Sequence, residues 1–139
     1  MIRRLRMAVA LLTRIPVAYP DDATDADVGP SAAWYPFVGV LVGGVSLGAY
    51  YGAAALWDGR VMPVVVALVA WIAITGGLHL DGLMDACDGL FSHRPREDKL
   101  RIMKDPQVGA FGALGLAALL LLKRGALSAL PPGRVWWAI

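Results

Sequence analysis

The chain has 139 residues, 58% of them hydrophobic and 17% charged, with a formal net charge of +2 and a mean hydropathy of +0.58. That is too apolar for an ordinary soluble domain. One cysteine, Cys87, excludes an intramolecular disulfide, two histidines and one cysteine are too sparse for a zinc site, and the scattered arginines give nucleic-acid binding no support.

Residues 1–17 carry Arg3, Arg4, Arg6 and Arg14 around the apolar run Met7–Leu12. That run is too short to span a bilayer and lacks a small-residue cleavage site. A basic amphipathic helix on the membrane surface is expected, stopped by Pro16 and Pro20. Tyr19–Pro30, with Asp21, Asp22, Asp25 and Asp27, reads as a solvated acidic loop. Val28–Trp57 is 30 residues without a charge, and a transmembrane helix is expected over 31–57. Pro36 marks its entry or a kink. Gly39, Gly43, Gly44, Gly48 and Gly52 form Gly-x-x-x-Gly steps that let another helix approach closely in lipid.

After the turn Asp58-Gly59-Arg60, the 20 charge-free residues 61–80 predict a second transmembrane helix. Residues 81–105 form a polar segment in which Gly89 ends the acidic turns. Pro95–Lys104 predicts a short interfacial helix, with Pro95 at the first helical position, Glu97 and Asp98 in the first turn and Arg101 and Lys104 in the last. A third transmembrane helix is expected over 106–124, with Lys123 and Arg124 snorkelling. Residues 125–139 are expected to begin a further membrane segment, and an ending inside the apolar run Val135–Ile139 reads as a fragment of a longer protein or a truncated gene product. The predicted architecture is an all-α, polytopic membrane protein, a single membrane domain with an N-terminal interfacial helix. Basic residues cluster at the N-terminus and over Arg94–Lys104, which places both in the cytoplasm. Lys123-Arg124 then lies against that rule, as an exception or as an inward-facing functional cation.

The chemistry concentrates in Thr75–Gly89. Asp81, Asp85 and Asp88 are spaced by four and three residues, so a continuous helix aligns them in one column. Stacked like charges repel, and a divalent cation relieves the repulsion. The column therefore reads as a metal-binding edge where a membrane helix meets water. Mg²⁺ suits it, since that ion takes one or two carboxylates, waters and phosphate oxygens. The expected ligand is a diphosphate-bearing substrate, and a carboxylate not engaged with metal can accept a proton from an attacking hydroxyl. Gly82 and Gly89 share an azimuth beside the column and would leave room for a phosphate. Asp105 before Pro106 reads as a helix N-cap. Arg101 and Lys104 read as interface cations that also sit where a phosphate would arrive. His79 points away from the column unless Gly76-Gly77 breaks the helix, and otherwise reads as an interfacial histidine. His93 reads as a loop residue and Cys87 as a packing residue.

Thr75–Gly89 and Arg101-Ile-Met-Lys-Asp-Pro-Gln-Val-Gly109 together closely resemble the cobalamin synthase family (adenosylcobinamide-GDP ribazoletransferase, or cobalamin-5′-phosphate synthase). Leu11-Leu-Thr-Arg-Ile-Pro-Val17 and Tyr35-Pro-Phe-Val-Gly39 are similar to the same family. The resemblance implies an Mg²⁺-dependent, multi-pass enzyme of the bacterial inner membrane with its active site on the cytoplasmic side. It would join adenosylcobinamide-GDP to α-ribazole or its 5′-phosphate and release GMP. The resemblance further implies Asp81, Asp85 and Asp88 as catalytic and metal-binding, Asp105 as a fourth ligand, and Lys104 and Lys123 as phosphate partners. Gly82, Gly89 and His79 complete the substrate-binding candidates, and Asp88 is favoured as the base. Expected partners are the lipid bilayer and either further copies of the chain or other cobalamin-assembly enzymes. Two other readings stay open. A CDP-alcohol phosphotransferase fits less well because Leu90-Phe91, not Ala-Arg, follows Asp88-Gly89. A transport component would use the carboxylates as a cation relay.

Overall fold

The computed structural model describes residues 1–18 and 23–139, and every regular element among them is helical. The chain divides into two compact units, Met1–Gly76 with Leu130–Ile139, and Gly77–Ala129.

In the first unit, α1 (Ile2–Leu12) buries Met7 and Ala8 and exposes Arg3, Arg4 and Arg6, the amphipathic split that its sequence dictates. Arg3 reaches the Asp27 carboxylate at 3.0 Å. Tyr19, Pro20, Asp21 and Asp22 of the expected acidic loop lie outside the described residues, but the rest of that stretch is not a loop. It forms α2 (Asp25–Ser31). Thr24 sits extended at the N-cap and donates its N–H to Asp27 at 3.2 Å, so the acid satisfies an orphan donor at a helix start.

A 3-10 turn, Ala32–Trp34, leads from α2 into α3 (Tyr35–Ala54). Pro36 falls in the first turn, where its missing N–H is harmless, so it starts α3 and does not kink it. The run Ala26–Ala54 is 29 residues long and apolar enough to cross a membrane. Helix α4 (Val61–Thr75) returns after a turn in which Gly59 takes φ +89°. Val38, Ser46, Tyr50 and Ala53 of α3 are buried, as are Pro63, Val64, Ala67 and Thr75 of α4. The buried hydroxyls of Ser46 and Thr75 donate to carbonyls one turn back, at 3.0 and 2.9 Å. The glycine strip is not the face that packs within this unit. A Cβ at Gly39, Gly44, Gly48 or Gly52 would meet nothing within 4 Å, and only Gly43 is approached, by the Ile139 carbonyl.

Helix α4 stops at Thr75 and not at residue 80. Gly76 and Gly77 take φ +64° and +74°, the left-handed conformation that ends a helix. The Arg14 N–H donates to the Ile74 carbonyl at 2.7 Å, and the Arg14 side chain lies where a Cβ on Gly76 would be. Alone, the 15 residues of α4 extend about 22 Å, short of a hydrocarbon core of about 30 Å.

The second unit holds α5 (Leu78–Phe91), α6 (Arg96–Ile102) and α7 (Ala110–Ala129). Gly89 does not end the acidic turns; α5 runs on to Phe91, and Ser92 donates to the Gly89 carbonyl at 2.8 Å. Pro95 is the N-cap of α6 and not its first helical residue. Helix α7 starts four residues later than the apolar run and continues past Lys123-Arg124, 20 residues in all and apolar enough to cross a membrane. Gly112 and Gly115 face α5: a Cβ at Gly112 would come within 3.0 Å of the Met84 carbonyl, and one at Gly115 would strike the Cys87 sulfur. Cys87 is thus a packing residue of the α5–α7 contact.

Candidate active site

The break at Gly76-Gly77 restarts the chain as α5, and all three column aspartates fall on that one helix. Their surroundings differ. Asp81 is exposed, Asp85 is half-buried and Asp88 is buried. Neither the Asp81 nor the Asp85 carboxylate has a hydrogen-bond or ion-pair partner among the described residues.

Asp81 and Asp85 line a cavity of about 210 Å³ whose other wall is the α6–α7 loop, with Lys104, Asp105 and Gln107 as its polar groups. A second cavity of about 430 Å³ is lined by Asp88, Ser92, Arg94, Phe111 and again Asp105 and Gln107. Asp105 and Gln107 therefore face both spaces. Asp105 is not the N-cap of α7, which begins at Ala110. Its Oδ1 accepts the Gln107 N–H at 3.0 Å and closes a local turn. The difference lies in tertiary contact, since the Gly109 and Gly112 N–H groups at the start of α7 are taken by Asp88.

Asp88 takes the capping position from a distance. Its Oδ2 accepts the Gly109 N–H and its Oδ1 the Gly112 N–H, both at 2.8 Å. The carboxylate thus sits on the positive end of α7 with both oxygens engaged.

Of the other candidates, Lys104 lies on the cavity wall and is exposed. Gly82 is exposed, and a Cβ there would meet nothing within 4 Å. Gly89, expected to leave room for a phosphate, is instead buried under Met103 and the Lys99 carbonyl of α6. His79 is exposed in the first turn of α5 and lines neither cavity. Lys123 is half-buried, lies about 20 Å along α7 from its first residue, and likewise lines neither cavity.

The four-aspartate set is not assembled at one point: among the described residues no three Asp, Glu, His or Cys side chains are grouped as metal ligands. The smaller donor set that Mg²⁺ accepts, one or two carboxylates completed by water and phosphate oxygens, is met by Asp81 and Asp85. Sequence reasoning missed Gln107 as a wall of both cavities, and counted Arg94 only as a topogenic charge. Gln107 lies inside the second motif, but an uncharged residue carried no signal there. Ser92 had none.

Helices of this length and apolarity, with one edge of paired carboxylates facing a lysine-bearing loop, define an all-helical integral membrane protein with a polar cavity at a helix end. The chain belongs to the cobalamin-5-phosphate synthase family, whose pattern matches residues 4–139. It is 43% identical to an adenosylcobinamide-GDP ribazoletransferase of Brevibacillus brevis over 88% of this chain and 49% of that protein. It is 44% identical to one of Desulfitobacterium hafniense over 93% of this chain and 50% of the relative. The corresponding figures for one of Deinococcus radiodurans are 41%, 98% and 49%. The chain thus spans about half the length of the curated relatives it matches. No solved structure matches it.

Proposed function

We propose that the chain contributes the diphosphate-binding half of an Mg²⁺-dependent adenosylcobinamide-GDP ribazoletransferase, working at the cytoplasmic face of the bacterial inner membrane. The observation that carries this reading is the cavity shared by Asp81, Asp85, Lys104 and Asp105, in a chain 38–44% identical to proteins of that name. The substrates follow from the relatives' name. A hydroxyl of α-ribazole, or of its 5′-phosphate, attacks the phosphorus that bears the cobinamide ester. The bond from that phosphorus to the GMP oxygen breaks, and GMP leaves.

Asp81 and Asp85 would hold Mg²⁺, which when bound neutralises charge on the diphosphate. Their lack of protein partners leaves both carboxylates available for it. Lys104 supplies a mobile point charge for a phosphate oxygen. Asp105 on the opposite wall has one oxygen tied to Gln107 and can take the hydroxyl proton on the other. The five basic residues between Arg94 and Lys104 support a cytoplasmic placement.

The test is Asp85→Asn in the full-length enzyme. Release of GMP should fall by about 10²–10³-fold, the usual loss when a charge-stabilising group is removed, with membrane insertion unchanged. Turnover equal to wild type would overturn the proposal.

A further inference from the structure

We infer that Asp88-Gly89 is a clasp that positions the Lys104–Asp105 loop, and that Asp88 is a positioning residue, neither a metal ligand nor the base. The inference refines the transferase reading given above, but its physical basis is independent of it. The loop runs from Met103 to Gly109, between α6 and α7. At its start Met103 seats on Gly89 so closely that a Cβ on Gly89 would lie 2.6 Å from Met103 Cε. At its end Gly109 donates to Asp88 Oδ2 at 2.8 Å. Two consecutive residues of α5 thus hold both ends of the segment that carries Lys104, Asp105 and Gln107.

The start of α7 is built for this arrangement. In a capping box the N-cap side chain bonds the N–H of the third helical residue, and that residue's side chain bonds back to the N-cap N–H. In α7 the two positions are Gly109 and Gly112, which have no side chains to do it. Asp88, 21 and 24 residues away in sequence, bonds both N–H groups instead. The glycines are also required sterically, since a Cβ on either would collide with the Asp88 carboxylate. A buried carboxylate must be hydrogen-bonded, and Asp88 has each oxygen occupied by an N–H group. Asp81 and Asp85 on the same stripe have no such partner and face the other cavity.

The experiment uses the full-length enzyme in detergent. Gly109 is the informative position, because the three atoms nearest its virtual Cβ all belong to the Asp88 carboxylate. Gly109→Ala should lower the melting temperature by several degrees in the wild type and by much less in an Asp88→Ala background, a non-additive cycle. Asp88→Asn should speed amide exchange at Gly109 and Gly112 by about tenfold or more, while Asp85→Asn leaves those amides unchanged. In the GMP-release assay, Asp88→Asn should lower kcat without moving the Mg²⁺ concentration for half-maximal rate, which Asp85→Asn should raise. Additive melting shifts, or a raised Mg²⁺ requirement in Asp88→Asn with unchanged amide exchange, would overturn the clasp. Absence of GMP release from the wild type would instead overturn the transferase reading, and the melting and exchange data would still decide the clasp.

Discussion

Gly82 and Gly89 sit seven residues apart on one stripe of α5, in opposite surroundings. Gly89 is buried, and a Cβ there would press on Met103 and lie 3.2 Å from the Lys99 carbonyl. Gly89→Ala should therefore destabilise the protein by about 1–3 kcal/mol, the usual range for overpacking. Gly82 has open space around it, so Gly82→Ala should add up to about 1 kcal/mol by helix propensity alone. Thermal unfolding of the two variants checks the opposite signs. If Gly82 leaves room for a substrate phosphate, its alanine variant should also show a raised KM for adenosylcobinamide-GDP, despite its greater stability. At this scale the sequence revealed which residues share a face and not what faces them. The azimuths of Asp81, Asp85 and Asp88 are close, which spacing alone shows, yet only Asp88 underlies the start of α7. Helical period carries no information on a contact made by a segment more than twenty residues further along.

The helix ends show which local signals held and which gave way. Asp105-Pro106 has the composition of a helix start, but α7 begins only at Ala110, because Asp88 caps it from α5. Gly76-Gly77 was visible as a weak point within a 20-residue apolar run. Its full effect depends on Arg14, whose backbone N–H takes the Ile74 carbonyl and whose side chain covers Gly76. This gives the Leu11–Val17 motif a structural role that its composition did not suggest: it closes the end of α4. Alanine at either glycine must adopt a left-handed conformation, at a cost of about 1–2 kcal/mol. Gly76→Ala must also displace Arg14, whereas a Cβ on Gly77 would meet nothing within 4 Å. Gly76→Ala should therefore lower the melting temperature more than Gly77→Ala, and Arg14→Ala should narrow the difference. Equal shifts would mean that Arg14 does not hold the end of α4.

For the molecule as a whole, membrane character was legible because apolarity over a helix length is a bulk property that no single contact overrides. The structure leaves Phe37 and Val40 of α3 and Leu114, Leu121 and Leu122 of α7 exposed, as lipid contact requires. Orientation is a separate question, and the charges answer it unevenly. Arg94, Arg96, Lys99, Arg101 and Lys104 surround α6 and favour the cytoplasm. Lys123 and Arg124, by contrast, lie inside α7 and not at its end. A cation within a helix contributes less to topology than one in a short loop, so the cluster around α6 should dominate. The prediction is tested by labelling single cysteines, in a Cys87→Ala background, with a membrane-impermeant maleimide. Glu97→Cys on α6 should be labelled in inverted vesicles and protected in intact spheroplasts. Asp58→Cys, in the turn between α3 and α4, should show the reverse if the chain crosses and returns. Labelling of Glu97→Cys from the outside would move the acidic cavity away from the cytoplasm and from any nucleotide-activated substrate made there.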